Sequence, residues 1–188
     1  MRDKINDILL ESIRVKEDLL REKIGKIIEI SQAAIEALKK GGKILIFGNG
    51  GSASDSQHIA AELVGRFKKE RPGIPAIALT TNTSILTALA NDYSYDIVFA
   101  RQVEALGQKN DLAIGISTSG KAKNVNSGIK QAKKMGIKTV ALTGADGGEL
   151  AKSADIALIV NSPVTARIQE AHITIGHIIC ELIEEALC

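Results

Sequence analysis

Three histidines occur in the 188 residues, His58, His172 and His177, and each falls in a segment with helical periodicity. His58 and Glu62 stand at i and i+4, on one face of a helix and one turn apart, bordering the apolar stripe Ile59, Leu63 and Phe67. An isolated imidazole–carboxylate pair on a helix is ordinarily a surface ion pair; this one gains interest because its helix starts at a candidate ligand loop. His172 and His177 share a later segment with Gln169. His172 reads as a buried histidine that satisfies hydrogen bonds. Gln169 and His177 are eight residues apart, about 12 Å of rise and about 80° of rotation, too far for one copy of the helix to clasp one ion with both. A site using both is therefore expected at a subunit interface, with His177 supplied by a neighbouring chain. Glu62 and His177 are the leading acid–base candidates.

Two loops supply a reason for such chemistry. In GNGGSASD, residues 48–55, Gly48, Gly50 and Gly51 allow a tight turn and close backbone approach to a ligand, Asn49 offers an amide, and Ser52 with Asp55 forms a capping-box pattern. The spacing is not G-x-G-x-x-G, and no fitting acidic residue closes the second strand, which disfavours a nicotinamide cofactor. In STSG, residues 117–120, hydroxyls and backbone N–H groups precede a helix, where an anion is favoured: a phosphate cradle without a lysine.

These loops need a scaffold that presents them together. Short apolar runs at 43–47, 75–79, 111–116, 138–142 and 155–160 read as buried parallel strands, and the helix-compatible stretches between them suit right-handed crossovers. The expected fold is α/β, a Rossmann-like doubly wound sheet of five parallel strands in a single domain, 1–188. Apolar stripes through Ile5, Ile8, Leu9, Ile13, Leu19 and Leu20, and through Ile24, Ile27, Ile28, Ala34, Ile35 and Leu38, make residues 1–40 a helical arm for oligomerisation, stopped by Gly41 and Gly42. The long C-terminal helix is apolar nearly all round between Ala171 and Ile183, as an oligomer-core helix would be.

Composition narrows the partners. A formal charge of +2 from 24 basic and 22 acidic side chains, without a dense basic cluster, argues against nucleic acid. Aromatics are 3% of the chain and tryptophan is absent, so recognition falls to polar groups. The N-terminus alternates charged with apolar residues and lacks the uninterrupted run of a signal peptide or membrane helix, pointing to the cytoplasm. Cys180 and Cys188, eight apart on one helical pattern, read as free thiols.

Over nearly its whole length the sequence resembles the phosphoheptose isomerases, which are SIS (sugar isomerase) domain proteins. The resemblance is carried by FGNGGSA (47–53), QHIAAEL (57–63), GRFKKERPGIPAIALTT (65–81), ALANDYSY (88–95), GISTSG (115–120), ALTGADGGEL (141–150) and TARIQEAH (165–172). It implies the SIS fold, a homotetramer with active sites at subunit interfaces, and isomerisation of sedoheptulose 7-phosphate to D-glycero-D-manno-heptose 7-phosphate, the first step toward ADP-heptose for surface glycans. It implies sugar contacts from Asn49, Gly50, Gly51, Glu62, Asn91, Asp92 and Gln169, phosphate contacts from Ser117, Thr118 and Ser119, zinc ligation by His58, Glu62, Gln169 and His177, and acid–base roles for Glu62 and His177. Two departures stand out. Ala122 occupies a position where the family commonly has serine, and Ser162, Pro163 and Val164 lack the aspartates frequent before TARIQE.

An aldose–ketose interconversion moves a proton between carbons 1 and 2 through an enediol while a partner serves the two oxygens. A carboxylate and an imidazole fit those roles in either assignment. Non-enzymatic relatives that bind the bacterial replication initiator lose the residues matching Glu62 and His177, whereas this chain retains both. A sugar-phosphate-sensing module needs the loops but no acid–base pair.

Overall fold

The computed structural model describes all residues, 1–188. Five parallel strands form one sheet: β1 (Ile44–Gly48), β2 (Ala76–Ala78), β3 (Leu112–Ser117), β4 (Lys138–Gly144) and β5 (Ile156–Val160), in the order β2-β1-β3-β4-β5. Each expected run overlaps one of them, with the ends shifted by no more than two residues. The chain leaves β1 toward β2 on one side, then crosses back to place β3 on the other, so the topological switch lies between β1 and β3. In an open α/β sheet that is where a ligand crevice forms, outside the carboxyl ends of the strands.

The period of two along each strand divides the core into two layers. Ile44 and Ile46 of β1, Leu112, Ile114 and Ile116 of β3, and Val140 and Leu142 of β4 face one layer. It is completed by α2 (Ile24–Lys39), α3 (Gly51–Val64) and α8 (Thr165–Leu187). Leu45, Phe47, Ala113 and Ala141 face the other, which is covered by α5 (Val98–Leu106) and α6 (Lys123–Lys134). Phe47 and Phe99 stack there at 5.3 Å. Two further helices, α4 (Thr83–Asp92) and α7 (Gly148–Ser153), flank that layer.

The N-terminal arm is α1 (Arg2–Asp18) running into α2 through a π-helical turn at Leu19–Lys23. Its second half is anchored by Ile27, Ile30, Ala34 and Ala37, all buried, and ends at Gly41, whose φ of +76° stops the helix as expected. The first half projects. Ile5, Leu9, Leu10 and Ile13 are exposed, and the arm is pinned to α8 by Ser12 Oγ donating to Glu170 at 2.7 Å and by the Arg167 guanidinium donating to the Ile8 carbonyl at 2.9 Å.

Within one chain, Ile168, Ala171, Ile175, Ile179 and Ile183 of α8 are buried, and Ile178 on the far side is 36% exposed. Thr174, Ile178 and Leu182 share an apolar cleft of about 400 Å³ with Leu20, Ile24 and Ile28 of the arm. One expectation needs correction: the capping box at Ser52 and Asp55 does not form. Gly50, at φ +55°, takes the N-cap of α3, so Ser52 lies inside the first turn and is buried. The reason is local: a glycine that can reach positive φ lets the chain enter the helix two residues earlier.

Candidate functional site

Strands β1 and β3 empty side by side into residues 49–51 and 117–120, bringing the two loops together at the switch point. The first is held by a reciprocal amide pair. Asn49 Nδ2 donates to Asn124 Oδ1 and Asn124 Nδ2 to Asn49 Oδ1, both at 2.9 Å, and the Tyr95 hydroxyl adds a third bond to Asn49 Oδ1 at 3.2 Å. Gly51 lets the Gln169 amide approach closely: a Cβ there would fall 2.4 Å from Gln169 Nε2 and push that side chain aside. Gln169 of α8 therefore covers the start of α3.

In the second loop the Gly120 amide donates to the Ser117 carbonyl at 3.0 Å, and Gly120 adopts φ +64°. The Gly120 carbonyl is turned away, accepting from Leu150 N at 3.0 Å and from Asn126 Nδ2 at 3.3 Å. Neither the Thr118 nor the Ser119 N–H has an acceptor within the chain. With the hydroxyls of Ser117, Thr118 and Ser119 they make a set of donors suited to an anion. Ala122 is the N-cap of α6 and offers no side-chain cap. The neighbouring cations are exposed and near counter-charges, Lys121 at 3.8 Å from Asp146 and Lys123 at 3.7 Å from Asp96. Asn91 and Asp92 end α4, exposed and bonded to each other at 2.8 Å.

The other end of α3 carries a cluster. His58 Nε2 lies 3.0 Å from Glu62 Oε1 and 3.3 Å from His177 Nε2, and the three ligand atoms are all within 4.8 Å of one another. His177 thus meets Glu62 within one chain, which corrects the expectation that a neighbouring chain supplies it. Helices α3 and α8 run side by side in the same direction, so the long rise from Gln169 to His177 is matched by that from Gly51 to His58. Each end of α8 meets a different end of α3, a pairing invisible from α8 alone.

Zinc bound tetrahedrally at about 2.0–2.1 Å would separate its ligand atoms by about 3.3 Å. The observed 3.0 and 3.3 Å fit that edge, and two imidazole nitrogens with a carboxylate oxygen are an ordinary zinc donor set. The structure brings His58, Glu62 and His177 together; the Gln169 amide packs against Gly51.

The electrostatic surroundings sort the remaining titratable groups. Burial pushes the Asp55 carboxyl up to about 6 against the opposing pull of His58, and its Oδ2 is buried without a partner one turn before that histidine. Burial, with Glu62 and Glu184 adding to it and Arg71 opposing, pushes Cys180 up to about 12, so it stays a protonated thiol. Cys188 is free and exposed, so both cysteines are unpaired as expected. His172 is fully buried, as expected of a structural histidine; its Nε2 lies 3.1 Å from the Thr143 carbonyl, and burial lowers it to about 4 despite that bond.

Sequence reading missed several residues at this site. Asn124 and Tyr95 clasp the first loop, and Phe67 stacks on His177 with centroids 5.7 Å apart. Tyr95 and Phe67 lie inside motifs already singled out, ALANDYSY and GRFKKERPGIPAIALTT, with Phe67 read only as part of an apolar stripe, whereas Asn124 announces itself only through a contact distant in sequence.

Comparison with known proteins identifies the family. Residues 9–144 match the SIS domain family. Phosphoheptose isomerase from Thermodesulfovibrio yellowstonii is 55% identical over 187 residues, covering 100% of this chain and 93% of the relative. That from Aquifex aeolicus is 54% identical over 188 residues, covering 100% and 98%. Among solved structures, phosphoheptose isomerase GmhA from Neisseria gonorrhoeae superposes with a TM-score of 0.93 at 42% identity, covering 98% of each chain. The NanR protein of Vibrio vulnificus, complexed with ManNAc-6P, shares the fold at 18% identity and a TM-score of 0.69, with 97% of this chain and 63% of that one covered.

Proposed function

The chain belongs to the SIS-domain family of phosphoheptose isomerases, and from that premise we propose that it converts sedoheptulose 7-phosphate to D-glycero-D-manno-heptose 7-phosphate, at the start of ADP-heptose synthesis. It is a phosphosugar isomerase by family. The convergence of His58, Glu62 and His177 beside an anion-ready crevice supports this substrate and this site most directly.

In the proposed mechanism the phosphate lies against Ser117, Thr118 and Ser119, where unpartnered N–H groups and hydroxyls neutralise it without a lysine. Asn49, Gly50, Gly51 and Gln169 line the crevice at the start of α3, with Asn91 and Asp92 contacting the sugar. The reacting carbons then lie toward Glu62 and His177. Glu62 moves the proton between carbons 1 and 2, and His177 serves the carbonyl and hydroxyl oxygens. Zinc held by His58, Glu62 and His177, with Gln169 toward the sugar, would supply Lewis-acid stabilisation of the oxygen that gains charge. A carboxylate that ligates a metal tightly is a weak base, so holding zinc and moving the carbon-bound proton would compete at Glu62.

No helix is long and apolar enough to cross a membrane. A cytoplasmic homotetramer is part of the same reading. The exposed Ile5, Leu9, Leu10 and Ile13 of the arm, together with the cleft beside α8, provide the apolar surface for assembly. Product analysis with zinc-loaded protein and sedoheptulose 7-phosphate tests the function: formation of the aldose heptose 7-phosphate is expected, and no turnover overturns it.

A further inference from the structure

Some 10 Å beyond the cluster, about one and a half to two turns along α8, lies a charged group that none of the proposed chemistry uses. Arg71 Nε donates to Glu184 Oε1 at 2.9 Å, and each side chain is only 2% exposed. The rest of the guanidinium caps the end of α3. Nη2 donates to the carbonyl of Glu62 itself at 2.8 Å, while Nη1 donates to the carbonyls of Leu63 at 2.8 Å, Gly65 at 3.2 Å and Pro72 at 3.1 Å. The Glu62 and Leu63 carbonyls end α3 and Gly65 is its C-cap, so these are groups that the helical pattern leaves without helical partners and that a nearby cation favours; Pro72 belongs to the following loop.

Glu184 completes the clamp from the other helix. Its oxygens accept from the backbone N–H groups of Phe67 at 3.2 Å, Lys68 at 2.8 Å and Lys69 at 2.9 Å, fixing the start of the 67–71 segment. That segment presents Phe67, whose ring stacks on the His177 imidazole at 5.7 Å and an interplanar angle of 28°. Glu184 and His177 are seven residues apart, two turns along one face of α8. The ion pair therefore touches both halves of the cluster: the backbone of Glu62 directly, and the ring of His177 through Phe67.

A buried ion pair is a poor stabiliser compared with apolar packing of the same volume, because desolvation offsets most of the attraction. A planar fork with five N–H donors nevertheless imposes directions that apolar packing cannot. We infer that, given the isomerase reading, Arg71 and Glu184 are positioning residues that hold Glu62 and His177 at the separation proton transfer and metal binding require. The phosphate and sugar loops lie at the opposite end of α3, about 16 Å away along the helix from Gly51 to Glu62, and are not held by this clamp.

Arg71→Lys, Glu184→Gln and Phe67→Leu would be compared with the wild type by kcat, KM, zinc affinity of metal-stripped protein against a chromophoric chelator, and melting temperature. Arg71→Lys and Glu184→Gln are expected to lower kcat about tenfold or more and weaken zinc about tenfold, the range seen when partners of metal ligands are removed, with KM within twofold. Phe67→Leu leaves the ion pair in place and is expected to weaken zinc several-fold with little change in melting temperature. A fall in melting temperature alone, with kcat and zinc affinity unchanged in folded protein, overturns the inference. So does unchanged zinc affinity in Phe67→Leu, a result that stays decisive if the Arg71 or Glu184 variants fold poorly. If the wild type does not turn over sedoheptulose 7-phosphate, the isomerase reading fails while the zinc affinities still decide the clamp.

Discussion

At its N-terminus α3 meets the crevice through neutral groups, glycine backbone, serine and threonine hydroxyls and the Asn49–Asn124 amides, whereas its C-terminus is fixed by a fully buried ion pair. The difference follows from what each end handles. A phosphate brings its own charge, so its cradle gains by being neutral and rich in N–H donors, with no cation to desolvate beforehand. Proton transfer tolerates little displacement of its groups, so the end carrying Glu62 and His177 benefits from stiff directional contacts. Glu184 shows how firmly that end is set. Burial alone would raise its pKa, but the N–H groups of Lys68, Lys69 and Phe67 and the Arg71 guanidinium outweigh it and hold the carboxyl at about 2.

If the two ends divide the work in this way, substitutions should separate kcat from KM according to the end they strike. The largest effect is expected for Glu62→Gln and His177→Asn, each lowering kcat by about 10²–10⁴-fold in steady-state assays, the range for loss of a general acid or base, with KM within a few-fold. A large rise in KM with kcat intact would place these residues in binding and dissolve the contrast.

Next in size is a pH effect at His172, which ties α8 to β4 between the two ends. Its folded-state pKa of about 4 lies below the ordinary 6.5, so the unfolded chain binds the extra proton between those values. The stability from burying it neutral is complete above about pH 6.5 and is lost as pH falls toward 4, on the order of 3 kcal/mol in all. Chemical denaturation from pH 7 to pH 4.5 should show this slope in the wild type and a shallower one in His172→Asn. Equal slopes would show that His172 is not the group lost.

Gly120→Ala strikes the crevice end. It forces a side chain onto a φ of +64° and a Cβ to within 2.0 Å of the Gly147 carbonyl oxygen. A loss of at least about 2 kcal/mol of stability is expected from strain and overlap together, and in surviving folded enzyme KM should rise well before kcat falls. Unchanged KM would mean that the 117–120 loop does not hold the phosphate.

The two ends also differed in how far the sequence revealed them. Residues 49–51 and 117–120 were legible because each is a local motif at the end of an apolar run, and adjacent parallel strands necessarily present such ends together. The five strands were legible for the same reason. The cluster was half legible: His58 and Glu62 are four residues apart, but the 3.3 Å approach of His177 to His58 spans 119 residues and depends on α3 and α8 running in the same direction. The rise of α8 alone points to a neighbouring chain for His177, because it carries no information about the direction of α3. The clamp was hidden because Arg71 and Glu184 meet across 113 residues, and because a charged pair in sequence resembles any solvated one until its burial is known.

The smallest predicted effect tests the crevice end at Ala122, where the resemblance leads to the expectation of a serine. Ala122 is the N-cap of α6, at φ −65° and ψ 114°, without a side chain able to accept from the first turn. Serine there would ordinarily add about 1 kcal/mol. The Val125 N–H is already engaged by Asn124 Oδ1 at 2.9 Å, so only the Asn124 N–H is left for the new hydroxyl, and the gain from Ala122→Ser should fall near the low end, about 0.5 kcal/mol. Bound phosphate competes for the same hydroxyl, which can donate to it in place of capping. KM should then fall two- to fivefold with kcat unchanged, the reverse of what the clamp variants do. A gain in melting temperature without a change in KM would make position 122 a cap and nothing more. A change in kcat would join the two ends of α3 into one functional unit and remove the division of labour from which the contrast began.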